Sequence, residues 1–355
     1  MRPQVALAPR TTLNVGGPAA FFLDGEDVPT IQDGLRWARA KNHPVFILGG
    51  GSNVVVADGG FPGLVIHPTD ATVTVARAGD RVRVRCGAGV SWDALVEKAV
   101  AEGWAGIECL SGIPGRVGAA PIQNIGAYGQ EIGPSVHRVE LVDLSSGETL
   151  AVSGADCDFG YRHSRFKTTW RDRYVVTAVT LELIPNGPAT VRYPALREAL
   201  DLPAHAPPPP LTSVRQAVLT TRAAKSMVWN EEDPNSRSAG SFFLNPVVTN
   251  ARADEIATGV GNDGSTMPRY PTETGQTKLA AAWLIERAGF RRGFLRGEVG
   301  LSDHHALAVI NRGGGTAAEV AALARDIIQE VRARFGVTLT CEPQFIGFDA
   351  DPVTG

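Results

Sequence analysis

The sequence predicts an α+β protein of more than one domain. Three observations carry this reading. Strand patterns dominate residues 72–184 with few helices among them, so strands and helices are segregated rather than alternated as in a βαβ series. Four consecutive prolines, in "LPAHAPPPPLT", make a stiff extended connection that divides the chain. Beyond it, three stretches have helical periodicity. The 355 residues are enough for two or three domains with cores of their own.

The elements follow in order. "TIQDGLRWARAKNHP" places Ile31, Leu35 and Ala38 on one helical face and ends near Pro44. "VFILGG" is a short apolar run stopped by glycine, a buried strand. "RVRVRCGAG" alternates Val82 and Val84 with Arg81, Arg83 and Arg85, which predicts a half-buried strand with a solvated arginine face. "SWDALVEKAVAEG" reads as a helix with Ser91 as cap and Gly103 as terminator. "VHRVELVDLSSGETLAV" reads as two strands around a turn at Ser146 and Gly147, and "RYVVTAVTLELIP" as another strand. After the prolines come helices in "SVRQAVLTTRAAKSMV", "TKLAAAWLIERAGF" and "TAAEVAALARDIIQEVRARFG". The last has Thr316 and Glu319 in capping-box spacing. "VTLTCEPQFIG" is a closing strand, and no internal repeat has a fixed period.

Composition narrows the partners. Hydrophobic residues at 43% and charged residues at 20% are ordinary for a soluble globular chain. Lys plus Arg is 34 and Asp plus Glu is 37, a formal charge of -3, which excludes a broad basic footprint for nucleic acid or a polybasic membrane surface. Cys86, Cys109, Cys157 and Cys341 are far apart and form no C-x-x-C pair, as expected of a reduced, cytoplasmic chain. "MRPQVALAPRTTLNVGG" lacks the apolar core of a signal peptide, and no stretch reaches the roughly 18 apolar residues of a membrane span. His304 and His305 are adjacent and lack metal-ligand spacing, so no metal is expected.

Glycine is high, 40 residues of 355, and three glycine-rich loops compete for a phosphate. "GVGNDG" satisfies G-x-G-x-x-G but lacks the strand before it and the helix after it, which rules out a dinucleotide fingerprint. "RGGGTAAE" leads into a helix and reads as a loop plus cap. "LGGGSNVVVAD" follows a strand and leads into another. Its glycines let the backbone approach a ligand and turn successive N–H groups into one concavity, with Ser52 and Asn53 adding side-chain donors. Taken alone, it reads slightly better as a tight turn. However, "GIPGRVGAAPIQNIGAYGQEI" packs five glycines and three alanines around Gln123 and Asn124. Small residues let a flat ring lie against the main chain, and the amide pair offers donors and acceptors to a heterocycle's edge. A structural cluster of turns is the alternative.

These stretches, with "FGYRHSRFK", "GSFFLNP", "KLAAAWLIERAG" and "EPQFIG" in the same order, resemble the UDP-N-acetylenolpyruvoylglucosamine reductases, the MurB flavoenzymes of peptidoglycan synthesis. The resemblance runs from about residue 11 to 347. It implies a vanillyl-alcohol-oxidase (PCMH) type FAD-binding domain in two subdomains, residues 1–69 and 70–204, with residues 338–355 returning to the first. A Pro-rich linker, 205–214, and a C-terminal α+β substrate-binding domain, 215–337, complete the implied organisation. Non-covalent FAD is implied as cofactor, NADPH as hydride donor and UDP-N-acetylglucosamine enolpyruvate as substrate. The expected protein is a cytoplasmic monomer with no nucleic-acid or membrane partner.

The resemblance also implies site residues. FAD is expected on Gly49, Gly50, Gly51, Ser52 and Asn53 for its diphosphate. Ser111, Ile113, Pro114, Gly115, Gly118, Ala119, Gln123, Asn124, Ile125, Gly126 and Tyr128 are expected along the flavin. Hydride addition to an enol ether leaves carbanion character beside the carboxylate, which needs a cation, hydrogen-bonding partners and a proton donor. Arg162 matches the carboxylate-contacting arginine, Glu342 a second electrostatic residue and Ser241 the proton donor. Ser241 lacks the G-x-S-x-G elbow of a nucleophile. Tyr193, Lys225, Asn245 and His305 match substrate-contacting positions, Tyr193 being found in one subgroup. The chain departs from other members at Leu244, where lysine is common, at Pro343, where valine is frequent, and in the longer loop "WNEEDPNSRS". Two other classes stand beside this reading: an oxidase of the same flavin fold, and a nucleotide-binding module without turnover.

Overall fold

A computed structural model describes every residue except 204, 260–265, 273 and 355. The chain forms two units. One holds Met1–Val5, Ala19–Gly51 and Pro62–Val228; the other holds Ala6–Pro18, Ser52–Phe61 and Trp229–Gly355.

In the first unit a sheet runs, in spatial order, Thr149–Ser153, Val136–Asp143, Tyr174–Pro185, Arg81–Gly87 and Val73–Ala78, with Trp104–Ala105 also pairing Tyr174–Pro185. Its pairings are antiparallel. The alternation in "RVRVRC" sets its faces. Val82 and Val84 are buried, while Arg83 lies opposite Glu182 and pairs with it at 2.9 Å, and Arg85 forks onto Glu140 at 2.7 and 2.8 Å. The arginine face is thus solvated and paired with carboxylates. A smaller sheet includes Val45–Ile47 in parallel with Phe61–Pro68. Helix Val28–Ala40, capped by Asp27, lays Ile31, Leu35 and Ala38 against Leu64 and Ile66 of the small sheet and Val142 and Val175 of the large one. Ser91 stands at the cap of helix Trp92–Ala101, but its side chain makes no cap bond.

The division departs from the sequence expectation at the prolines. Helix Leu211–Ala223 belongs to the first unit. Leu211 joins the core of the large sheet, Val214 and Val218 pack with Cys109 and Leu196, and Arg215 forks onto Asp93 at 2.7 and 2.9 Å. A proline run reports stiffness. Which core takes the next helix is decided by the apolar stripe on that helix.

The second unit is built on helix Ala317–Phe335, whose capping box of Thr316 and Glu319 forms as the spacing predicts. Its buried face includes Val320, Leu323, Ala324, Ile327 and Val331. Around it lie the sheet Leu295–Arg296, Val299–Leu301 and Val309–Asn311, the sheet Val247–Val248, Thr277–Leu279 and Arg269–Pro271, and helices Asn250–Gly259 and Ala281–Arg287. "TKLAAAWLIERAGF" is therefore part strand, with its helix starting only at Ala281. Of "VTLTCEPQFIG", Gln344–Ile346 is a strand, parallel to Val54–Val56. It does pair with residues in the range 1–69, but both strands lie in the second unit. Asp58 holds that segment there: its carboxylate accepts from the N–H groups of Ala317 and Ala318 at 2.8 and 2.9 Å, an anion at the positive end of a helix. Residues 260–264 of "GVGNDG" lie outside the described residues.

Candidate active site

The glycine loop leaves the end of a parallel strand pair. Leu48 donates its N–H to the Ile66 carbonyl at 2.9 Å, and its carbonyl lies 2.7 Å from the His67 Nδ1. The N–H groups of Gly49, Gly50 and Gly51 donate to no other described main-chain carbonyl. A Cβ on Gly50 would stand 2.6 Å from the Gly115 Cα and 3.1 Å from its carbonyl carbon. One on Gly49 would stand 3.3 Å from the Ala119 Cβ. The two glycine-rich segments of the first unit therefore lie main chain against main chain, and successive N–H groups in such a concavity suit a diphosphate. This arrangement fits FAD. Ser52 and Asn53 follow in the second unit. The Asn53 side chain, expected at a diphosphate, is instead turned to the Glu342 carbonyl at 3.3 Å.

Residues 115–119 are fixed by the donation of Val117 and Gly118 N–H to the Val90 and Ala88 carbonyls, at 2.9 and 3.0 Å. Ile113 and Ile125 pack on the core of the large sheet, and Pro114 is exposed. Two residues expected along the flavin have their side chains engaged within the protein. Ser111 is fully buried and spends its hydroxyl on the Glu108 carbonyl at 2.7 Å. Asn124 is equally buried. It ends the short helix Ala120–Gln123 in a left-handed conformation, φ 46°. Its amide donates to the Glu131 carboxylate and the Gly160 carbonyl, and its oxygen accepts from Gly133 N–H. Its side chain organises the loop and is not turned to a ring edge; half-buried Gln123 retains that expectation. Gly126–Ala127 then pairs with Gln130–Glu131 around a two-residue turn, with Tyr128 at φ 50° and Gly129 at φ 78°.

Arg162 sits in a second tight hairpin, closed by reciprocal bonds between Gly160 and His163, and also has positive φ, 51°. Its Nη2 donates to the Gly126 carbonyl at 2.7 Å, and the Arg162 carbonyl accepts from Lys167 Nζ at 2.9 Å. A Cβ on Gly126 would stand 2.9 Å from the Arg162 Nη1. Glycine there is what admits the guanidinium.

The segments that carry Ser241 and Glu342 pair through the main chain of the second unit. Phe243 pairs with Cys341, Glu342 N–H donates to the Phe242 carbonyl at 2.9 Å, and Leu244 N–H to that of Thr340 at 2.9 Å. Phe242 and Phe243 are buried and anchor this pairing, leaving Ser241 half-buried at its edge. Phe242 N–H donates to the Leu307 carbonyl at 2.7 Å, which brings the His305 loop alongside. Asn245 accepts from Ala281 N–H at 2.9 Å and so serves the start of a helix. In the first unit, Tyr193 meets Tyr128 edge to face at 5.8 Å, and Lys225 is exposed just beyond helix Leu211–Ala223.

The sequence reading missed Arg222. Its Nη2 donates to the Met227 carbonyl at 2.8 Å, and its Nε is buried with no partner among the described residues. Burial pulls its pKa down, against Tyr128 and Asp93, which raise it; Arg162 lowers it further. Three residues before Lys225, it had no motif to mark it.

Residues 233–346 match the C-terminal domain of UDP-N-acetylenolpyruvoylglucosamine reductase, and residues 19–153 match an FAD binding domain. The UDP-N-acetylenolpyruvoylglucosamine reductase of Thermobifida fusca is 46% identical over 351 residues, covering 97% of each chain. The chain belongs to this reductase family. That of Streptomyces coelicolor is 42% identical, covering 96% of this chain and 89% of its own length. The crystal structure of the MurB reductase from Thermus caldophilus matches with a TM-score of 0.64 over 97% of this chain and 98% of its own, at 24% identity, and supports the fold. As a member of the MurB family the chain is an oxidoreductase with an FAD-binding domain of the expected type and a MurB C-terminal domain.

Proposed function

We propose that this chain is a cytoplasmic UDP-N-acetylmuramate dehydrogenase. It reduces UDP-N-acetylglucosamine enolpyruvate to UDP-N-acetylmuramate for peptidoglycan precursors, with NADPH as reductant. Hydride transfer from NADPH to the substrate's terminal alkene carbon is the chemistry that FAD would supply when bound. The alkene electron pair then moves to the carbon bearing the carboxylate. Arg162, braced on the Gly126 carbonyl, offsets the negative charge that develops there. Glu342 acts as a second electrostatic residue in the same step. Ser241 gives its proton to that carbon and regains one from water. Gly49, Gly50, Gly51 and residues 113–119 would hold the cofactor, and Tyr193, Lys225, Asn245 and His305 the nucleotide part of the substrate.

The observation that supports this reading is the pairing of Phe243 with Cys341, with Glu342 N–H on the Phe242 carbonyl one residue from Ser241, in a chain that matches a reductase over 97% of its length. The test is anaerobic reduction with NADPH, followed by the enolpyruvyl substrate. Flavin colour that bleaches and then returns with the substrate supports the reductase. Colour that returns only with air supports an oxidase, and absence of flavin a binding module.

A further inference from the structure

Glu342 is held by its main chain from two directions. Its N–H donates to the Phe242 carbonyl at 2.9 Å, one residue from Ser241. Its carbonyl accepts from the Asn53 side-chain amide at 3.3 Å. The next residue, Pro343, has no N–H to give and fixes its own φ. One residue further, Gln344 N–H donates to the Asn53 carbonyl at 3.0 Å, opening the parallel ladder of Gln344–Ile346 on Val54–Val56. That ladder continues through Ala57 N–H to the Ile346 carbonyl at 2.8 Å, and it ends on Asp58, anchored at a helix N-terminus. Asn53 thus takes both sides of the Glu342–Pro343–Gln344 corner, all within the second unit.

We infer that Asn53 is a positioning residue for Glu342, which it orients through the Glu342 carbonyl. Because Asn53 directly follows the glycine loop, the segment that carries cofactor contacts also sets the geometry of a group used only when the substrate is reduced. The inference rests on the reductase reading. It separates Asn53 from the rest of "GGGSN": the glycines serve the cofactor, whereas the asparagine amide serves the second half-reaction.

The test is Asn53→Ala, studied by stopped flow so that each rate constant is read per bound flavin and is insensitive to a fraction of unfolded protein. Loss of a hydrogen bond of this kind is expected to slow substrate-driven flavin reoxidation about five- to tenfold more than flavin reduction by NADPH, with the substrate KM changed less than kcat. Equal slowing of both half-reactions, or of neither, overturns the inference. A second measurement needs no substrate. Hydrogen exchange of the peptide spanning residues 340–346 is expected to quicken in the variant, while helix Ala317–Phe335 exchanges as in the parent. Unchanged exchange at residues 340–346 overturns the inference even if the substrate assignment itself fails. Wild-type flavin that the enolpyruvyl substrate does not reoxidise would instead overturn the reductase reading.

Discussion

Replacing Gly126 by alanine tests how Arg162 is aimed. The added Cβ would lie 2.9 Å from the Arg162 Nη1, 2.9 Å from the Glu131 Cγ and 3.1 Å from the Gln130 carbonyl oxygen. An ordinary contact is about 3.5 Å, so the guanidinium must move by roughly 0.6 Å. It is the far end of a flexible side chain and moves cheaply, so the stability loss is small, about 1 kcal/mol. The functional loss is larger, because the 2.7 Å bond from Arg162 Nη2 to the Gly126 carbonyl is disturbed. A hydrogen bond to a charged group contributes about 1.5–3 kcal/mol, which corresponds to about 10- to 150-fold in rate. On the proposed mechanism the effect belongs to the step in which charge develops beside the carboxylate. Stopped-flow measurement of both half-reactions should therefore show flavin reoxidation by the substrate slowed at least tenfold more than flavin reduction by NADPH. If reoxidation keeps its wild-type rate in a folded, flavin-loaded variant, Gly126 does not set the position of Arg162, or Arg162 does not act in that step.

Three further outcomes are expected. Gly50→Ala brings a Cβ to 2.6 Å from the Gly115 Cα, main chain that no rotamer change relieves, and should lower flavin content on purification and weaken FAD binding at least tenfold; a full complement of flavin would remove the glycine loop from the cofactor site. Ser241→Ala should let NADPH reduce the flavin normally but slow its reoxidation by about 10²- to 10⁴-fold, and wild-type rates in both halves would dismiss Ser241 as the proton donor. Asp93 is half-buried, which alone raises its pKa, but the Arg215 fork and the Gly112 N–H outweigh burial and hold it below the ordinary carboxylate value. A depressed folded pKa stabilises above the unfolded value of about 3.9 and is lost as pH falls through the folded one. Asp93→Asn should therefore melt lower than the parent at pH 7, with the two curves converging below about pH 4; a pH-independent difference would argue that the charge of Asp93 is not what matters.

The legible parts of this fold are those where one local rule decides. Alternation placed Val82 and Val84 in the core and Arg83 and Arg85 on the paired, solvated face, and Thr316 with Glu319 marked a helix start to the residue. The illegible parts are those decided by distant partners. Helix Leu211–Ala223 follows a proline run yet is claimed by the first unit, because its stripe fits the Cys109 and Leu196 surface. Asn124 and Asn53 both sit in loops that read as ligand-facing. Their amides are instead consumed by Glu131, Gly160 and Glu342, partners up to 289 residues away. Arg222 was invisible because its distinction is burial, which no neighbouring letter encodes.

Three left-handed residues around Gly126 connect the fold to the chemistry. Asn124 at φ 46° ends the short helix before it, Tyr128 at φ 50° turns the hairpin after it, and Arg162 at φ 51° turns the hairpin whose guanidinium it receives. Asparagine tolerates this conformation, whereas tyrosine and arginine do so at a cost of order 1 kcal/mol each. Glycine would relieve that cost at either turn, yet the chain keeps the large side chains. The two costs act at one place: the Tyr128 ring is held against Tyr193, and the Arg162 guanidinium on the Gly126 carbonyl. Stability is given up where side-chain direction matters, which is what the role proposed for Arg162 requires: a cation fixed in advance of the charge it meets.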